Sequence, residues 1–298
     1  MNLWNWIRWL LGPIIFIGFL FTALSSNSYN KEREVYEVGP WKTPKQLVFA
    51  GEHAPLNDLD VREKFDREIL INTYWHSQTL LLIKKANRWF PLIEPILKEH
   101  NIPQDFKYLA IIESGMDPNA KSPAGAVGFW QILKGTGKEL GLIINSEIDE
   151  RKNIEKSTKA ACKYFQKAYK EFESWALVAA SYNAGIPRVK RQLEKQKVDS
   201  YYDLYLNTET SRYMYRIHAI KEVLNNLKKY GFNISQDDLY TPYNVKHIQV
   251  SGSIENLPDF AKKHKTNYKT LKILNPWLTN TSLKNPENNR FTILLPIR

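Results

Sequence analysis

The chain has 298 residues, 43% hydrophobic and 24% charged, a balance that excludes global disorder and leaves room for one ordinary domain and a smaller companion. Lys and Arg number 42 against 31 Asp and Glu, a formal net charge of +11 that favours an anionic partner or surface without saying which. The single cysteine, Cys162, excludes an intramolecular disulfide framework and every multi-cysteine metal site.

In chain order, residues 1–24 carry one charged side chain, Arg8, and the run 10–24 is apolar apart from Thr22. Trp4, Trp6 and Trp9 precede it like an interfacial belt. Residues 1–28 therefore read as a signal peptide or a membrane anchor, which puts the working domain in the cell envelope outside the cytoplasm. No cysteine follows the apolar run, so a lipid-modified terminus is not expected. Residues 25–44 are polar and closed by Gly39, Pro40 and Pro44, the composition of a linker, so residues 29–59 read as a linker and juxtamembrane segment, with ordered structure expected to begin near Leu47.

From Asp60 to about Arg88 the apolar positions Val61, Phe65, Ile69 and Leu70 recur at helical spacing, predicting one long amphipathic helix. Pro91 and Pro95 are expected to start a short helix ending near Asn101, and Pro103 another, because proline is tolerated in a first turn. Further helices are predicted over 153–172, 175–184, 187–197 and 210–230, with Gly185 and Gly231 as C-terminal caps. Residues 60–231 thus read as an all-α domain. After Gly231, strand-like runs at 247–250 and 291–295 enclose two helical patterns, 257–264 and 268–274, so residues 244–298 read as a separate βααβ module.

The most informative stretch is PQDFKYLAIIESG, residues 103–115. Phe106, Leu109, Ala110 and Glu113 fall at spacings of three and four and share one helical face, so Glu113 points where the core points. Desolvation and the negative end of the helix both disfavour its charged form, the environment of a general acid. The same pattern also suits a buried Glu paired with a cation, and spacing alone leaves both readings open.

Glu113, Ser114, Pro118, Ser122, Pro123, Gly125, Ala126, Gly128, Trp130 and Gln131 stand out in ESGMDPNAKSPAGAVGFWQ, and two further blocks follow, SYNAG at 181–185 and ETSRY at 209–213. In these blocks the chain resembles the lytic transglycosylase family of the lysozyme superfamily, and looks closest to its membrane-bound murein transglycosylase D branch. The resemblance implies a mainly α fold, with a lysozyme-like all-helical catalytic domain and a cleft for the N-acetylglucosamine and N-acetylmuramic acid strand of peptidoglycan. Glu113 matches the sole catalytic acid. In such enzymes the carboxyl protonates the glycosidic oxygen and then, ionised, takes the proton of the muramyl C6 hydroxyl, which closes onto C1 to leave a 1,6-anhydro end.

By the same resemblance Ser122, Gln131, Tyr182, Asn183 and Tyr213 are expected to bind substrate or face the acid, with Ser114, Gly125, Gly128 and Glu209 as structural support. Read without it, Ser122 is a turn residue, Gln131 a helix start and Tyr182 a core tyrosine. A two-carboxylate glycosidase would need a partner roughly 5–9.5 Å away. Asp117 and Glu209 are the candidates, but Asp117 precedes Pro118 and reads as a turn, and Glu209 as a helix-start residue. The Phe129–Trp130 pair departs from many relatives and is expected to alter a subsite wall.

The tail resembles a LysM module through Val250, Gly252, Ile254, Leu257, Phe260, Ala261, Leu274, Asn275, Leu294, Leu295 and Pro296, implying a small α+β glycan-binding domain. It departs from the pattern at Ser253, where an acidic residue is usual, and at Asn288-Asn289-Arg290, where a glycine is expected. The six histidines are scattered without ligand spacing, so neither a metal nor another cofactor is expected. Cys162 reads as a small core residue, and the basic cluster Arg188, Lys190 and Arg191 as a solvated face with no nucleic-acid motif. Expected partners are peptidoglycan strands and, through the N-terminal segment, a membrane. A lysozyme-like hydrolase and a non-catalytic wall-binding scaffold are the competing functions.

Overall fold

A computed structural model describes residues 39–297 of the chain. The export or anchor segment expected at the N-terminus lies outside the described residues. Among the described residues no helix is long and apolar enough to cross a membrane.

A two-residue hairpin, β1 (Val48–Phe49) and β2 (Glu52–His53), precedes the helices. It is clamped at two places. Asp105 accepts the Ala50 amide at 2.7 Å and the Lys221 ammonium at 2.6 Å, and the Glu52 carboxylate accepts the amides of Trp175 and Ala176. Glu52 therefore satisfies donors left open at a helix start.

The long helix expected from residue 60 is two helices, α1 (Leu59–Tyr74) and α2 (His76–Glu99), broken at Trp75. The Thr79 hydroxyl takes up the Asn72 carbonyl at the break, giving a partner to an acceptor the interruption would otherwise free. The prolines, by contrast, do not start a new helix, because α2 runs through Pro91 and Pro95 to Glu99. Two interior prolines cost about 3 kcal/mol each. Burial of Ile93, Ile96 and Leu97 from the same segment offsets this at roughly 1.5–3 kcal/mol per side chain.

Pro103 begins a single 3-10 turn, Gln104–Phe106, that leads into α3 (Lys107–Ser114). A short helix not anticipated from the sequence, α4 (Lys134–Glu139), follows the motif loop. The next three helices fall close to their predicted positions: α5 (Ile154–Phe172), α6 (Trp175–Ala184) and α7 (Ile186–Gln196). Asn153 and Ser174 cap the first two by accepting the amides of Lys156 and Leu177. Helix α8 (Thr208–Asn225) starts two residues early and is followed by a separate 3-10 turn, Leu227–Tyr230, capped by Gly231.

Helix α6 carries an almost continuous buried run, Ala176 to Ser181, and packs against α5, α7 and α8, while α8 also lies along α1. Rings of Phe106, Phe165, Trp130, Trp175 and Tyr182 interlock at its side, with Phe106 and Phe165 centroids 4.5 Å apart.

The tail has the expected order, β3 (Val245–Val250), α9 (Leu257–Lys263), α10 (Tyr268–Leu274) and β4 (Phe291–Pro296), with β3 and β4 antiparallel. The mainly α class with a small α+β C-terminal part is thus as expected. Where a glycine was missing, Asn288 adopts φ +52° and the Asn285 side chain accepts the Asn289 amide at 3.0 Å. Asparagine tolerates this conformation better than other side chains, which explains the substitution. Ser253 accepts the Asn285 amide at 2.9 Å. The tail core of Leu257, Leu271, Trp277, Leu278, Ile293 and Leu295 also contains Ile148, which belongs to the helical region.

Candidate active site

Helix α3 ends because Gly115 takes the left-handed conformation, φ +58°, and its amide closes on Ile111. That stop leaves Glu113 in the last turn, largely withdrawn from solvent. Burial, the largest influence, pushes its carboxyl up from 4.5 to about 7. Two contacts pull the other way. The Tyr213 hydroxyl donates to Oε1 at 2.5 Å, and the positive charge of Arg216 favours the ionised form, while Glu209 opposes it. Glu113 therefore stands close to half-protonated at neutral pH, able to give a proton and to take one back.

Tyr213, 1% exposed, comes from α8, one hundred residues further along the chain. Burial and the neighbouring carboxyl hold its phenol well above the usual range, so it stays protonated and can donate to Glu113. Tyr182 lies near the same carboxyl, but its hydroxyl donates to the Trp130 carbonyl at 2.6 Å and not to Glu113. Ser114 donates to the carbonyls of Ala110 and Phe129, at 3.1 and 2.9 Å. Two successive carbonyls of the motif loop are thereby held by hydroxyls beside the acid.

The loop itself is closed by its own side chains. The Ser122 Oγ accepts the Ala126 amide at 3.1 Å, and the Gln131 amide nitrogen donates to the carbonyls of Ala120 and Gly128. Gln131 begins no helix, since it sits at φ +47°. Gly128, at φ +83°, lies so close to the next segment that a Cβ would come within 2.0 Å of the Arg151 carbonyl oxygen. Gly125, at φ +81°, has open space around it. The rings of Phe129 and Trp130 do not form a cleft wall. Both are buried, Phe129 edge-on to Trp89 and Trp130 donating from Nε1 to Thr158 at 2.9 Å.

The remaining predicted residues form a second cluster. Asn183 donates to Glu209 at 3.2 Å and accepts the Thr210 hydroxyl at 2.9 Å, tying the end of α6 to the first turn of α8. Asp117 accepts the Asn119 amide at 2.8 Å, a local turn. The structure thus brings Tyr213, Ser114 and Tyr182 around Glu113, and sets Ser122 and Gln131 in the loop framework.

Two charged residues escaped the sequence reading. Arg216 lies one turn beyond Tyr213 and donates to the Ile112 carbonyl at 3.4 Å. Arg212 clasps the buried Glu68 at 2.7 and 3.2 Å and so fixes α8 against α1. The i, i+3 relation of Arg216 to Tyr213 was the available signal for the first, whereas nothing local pointed to Glu68. Cys162 is buried, its thiol pushed up to about 12 by burial. Among the described residues no group of three or more His, Cys, Asp or Glu is arranged to hold a metal ion.

Comparison with known families matches residues 91–204 to the Transglycosylase SLT domain, and residues 246–298 to the Soluble lytic transglycosylase C-terminal LysM-like domain. The membrane-bound lytic murein transglycosylase D of Escherichia coli (strain K12) is 31% identical over 212 residues, covering 70% of this chain and 46% of that protein. The chain therefore spans less than half the length of that relative. A putative tributyltin chloride resistance protein of Alteromonas sp. (strain M-1) is 28% identical over 125 residues, covering 42% of this chain and 60% of that protein. Among solved structures, the 70 kDa soluble lytic transglycosylase of Escherichia coli is similar over 51% of this chain and 26% of its own, at 24% identity and a TM-score of 0.40. The lytic transglycosylase Slt of Pseudomonas aeruginosa is similar over 61% of this chain and 31% of its own, at 19% identity and a TM-score of 0.42.

Proposed function

We propose that this chain, which carries a transglycosylase SLT domain ahead of a LysM-like module, is a peptidoglycan lytic transglycosylase with Glu113 as its acid and then its base. One observation carries the reading: the Glu113 carboxyl, raised to about 7 by burial, is hydrogen-bonded by a tyrosine whose phenol stays protonated there.

In the first step protonated Glu113 gives its proton to the glycosidic oxygen between N-acetylmuramic acid and N-acetylglucosamine. The bond from the muramyl C1 breaks, and the leaving sugar departs as an alcohol. Glu113, now a carboxylate, is stabilised by the Tyr213 hydroxyl and by the charge of Arg216. It then takes the proton of the muramyl C6 hydroxyl, whose oxygen bonds to C1. The acid is regenerated, a 1,6-anhydromuramyl end forms, and no water is consumed.

Residues 60–231 would serve as the catalytic domain and 244–298 as a glycan-binding module, delivered to the cell envelope by residues 1–28 across the linker 29–59. The role is cell-wall remodelling. Ser122, Gln131, Tyr182 and Asn183 border the substrate path in this reading, with Gly125, Gly128 and Glu209 shaping it.

The test is mass spectrometry of the fragments released from purified peptidoglycan by residues 30–298, with Glu113→Gln alongside. Fragments ending in 1,6-anhydromuramic acid, absent with the variant, are expected. Reducing ends would instead mean a hydrolase, and release by neither protein a binding scaffold.

A further inference from the structure

Between α4 and α5 the chain makes a narrow hairpin that leaves the helical region and enters the C-terminal module. Ile144 and Asp149 pair across it, and the Asn145 side chain closes its turn by accepting the amides of Glu147 and Ile148. At the tip Ile148 is buried among Leu257, Leu271, Trp277 and Leu278. The Asp149 amide donates to the Trp277 carbonyl at 2.8 Å, and the Thr279 amide to the Glu147 carbonyl at 2.9 Å. The Glu147 carboxylate accepts from Asn280 and Ser282, both at 2.9 Å. The module is therefore docked on this hairpin by apolar contact, main-chain bonds and a carboxylate clasp.

The returning limb of the hairpin holds a buried ion pair. Arg151 grips the Asp149 carboxylate with Nε and Nη2 at 2.8 and 2.7 Å. Its Nη1 donates to the carbonyls of Gly125 and Ile132, at 3.1 and 3.2 Å, near the two ends of the motif loop. Its own carbonyl oxygen lies against Gly128 in the middle of that loop. One residue thus touches the loop at three points, and between them Phe129 and Trp130 offer the carbonyls that take the hydroxyls of Ser114 and Tyr182. The rigid fork of Arg151 presents donors to a carboxylate and two carbonyls in fixed directions, an arrangement that the point charge of a lysine ammonium does not reproduce.

We infer that Arg151 is a positioning residue for the chemistry at Glu113, and that docking of the C-terminal module on the 143–151 hairpin holds it in place. The module then acts in catalysis from behind the site, whatever glycan it also contacts. This rests on the reading of Glu113 as the acid. Displacing a positioning group by about 1 Å can cost a reaction on the order of 100-fold in rate.

The experiment uses the full chain, with Arg151→Lys and, separately, the double variant Asn280→Ala/Ser282→Ala, which removes the Glu147 clasp together with the local bond from the Thr281 amide to Asn280. Turnover of peptidoglycan is resolved into kcat and KM, and amide hydrogen exchange is followed over residues 125–132. Arg151→Lys is expected to lower kcat by about 10–100-fold with KM within about twofold, and to speed exchange in the loop. The clasp variant should show the same pattern, weaker. Unchanged kcat with unchanged exchange, or a loss confined to KM, overturns the inference. Should Arg151→Lys fail to fold, the clasp variant decides by the same two readouts. If the wild-type chain releases nothing from peptidoglycan, the proposed function fails, and loop exchange in the clasp variant still decides the coupling.

Discussion

Replacing Glu113 with Gln should stabilise the protein, by an amount that grows as pH rises from about 5 to 7 and vanishes near pH 4. The carboxyl moves from 4.5 to about 7 on folding, chiefly through burial, so the folded state binds its proton more tightly than the unfolded chain does. A group raised in this way supports folding fully below pH 4.5. That support is lost as pH climbs through about 7, after which the ionised side chain is a constant burden. At about 1.36 kcal/mol per pH unit the burden is at most about 3 kcal/mol. Gln keeps the shape and an oxygen for the Tyr213 hydroxyl, yet carries no charge to desolvate. Urea unfolding of both proteins at fixed ionic strength, from pH 4 to pH 9, reads the difference directly, because all other titrating groups are common to the pair. The expected curve is flat near pH 4, rises through pH 5–7 in favour of the variant, and levels above pH 8. A difference independent of pH, or one favouring the wild type as pH rises, would refute the placement of Glu113 as a buried, burdened acid.

Tyr213→Phe removes the hydroxyl that favours the ionised carboxyl, so the alkaline limb of the pH–activity profile, set by loss of the acid form, should move upward by about one pH unit. A limb that stays in place or moves down in a turbidity assay of peptidoglycan clearance counts against the contact. Gly128→Ala should lower the melting temperature far more than Gly125→Ala. Both residues sit at positive φ, but only the first would drive a Cβ into the Arg151 carbonyl, and thermal unfolding followed by circular dichroism separates the two costs.

How much of this was legible in the sequence depended on the range of the contact. Helices α5 and α6 were readable because the periodic face of α5, the apolar run of α6, the Asn153 and Ser174 caps and the terminal Gly185 are all local to the element. The break at Trp75 was not, since the apolar stripe continues across it and the compensating bond comes from Thr79. The prolines of α2 misled for the opposite reason, because local preference was overridden by core burial. At the site, spacing placed Glu113 on the inward face, but the partner Tyr213 is a hundred residues away and only the ordered blocks pointed to it. Asp149 and Arg151 look like two loop charges, and their burial depends on the hairpin whose tip is covered by Trp277 and its neighbours, a contact that no window of sequence contains.

Helix α8 presents Thr210 to Asn183, Arg212 to Glu68, Tyr213 to Glu113 and Arg216 to Ile112, four attachments to three other helices within two turns. Such a segment tolerates change of length poorly. Each added residue turns everything beyond it by about 100° and advances it about 1.5 Å, so an insertion between 210 and 216 would misalign the attachments on one side with those on the other. Point changes there remove one attachment at a time, whereas a single insertion or deletion dismantles the set. Drift in length among proteins built this way should therefore gather in connections such as 232–244, and the spacing inside ETSRY should be its most rigid property.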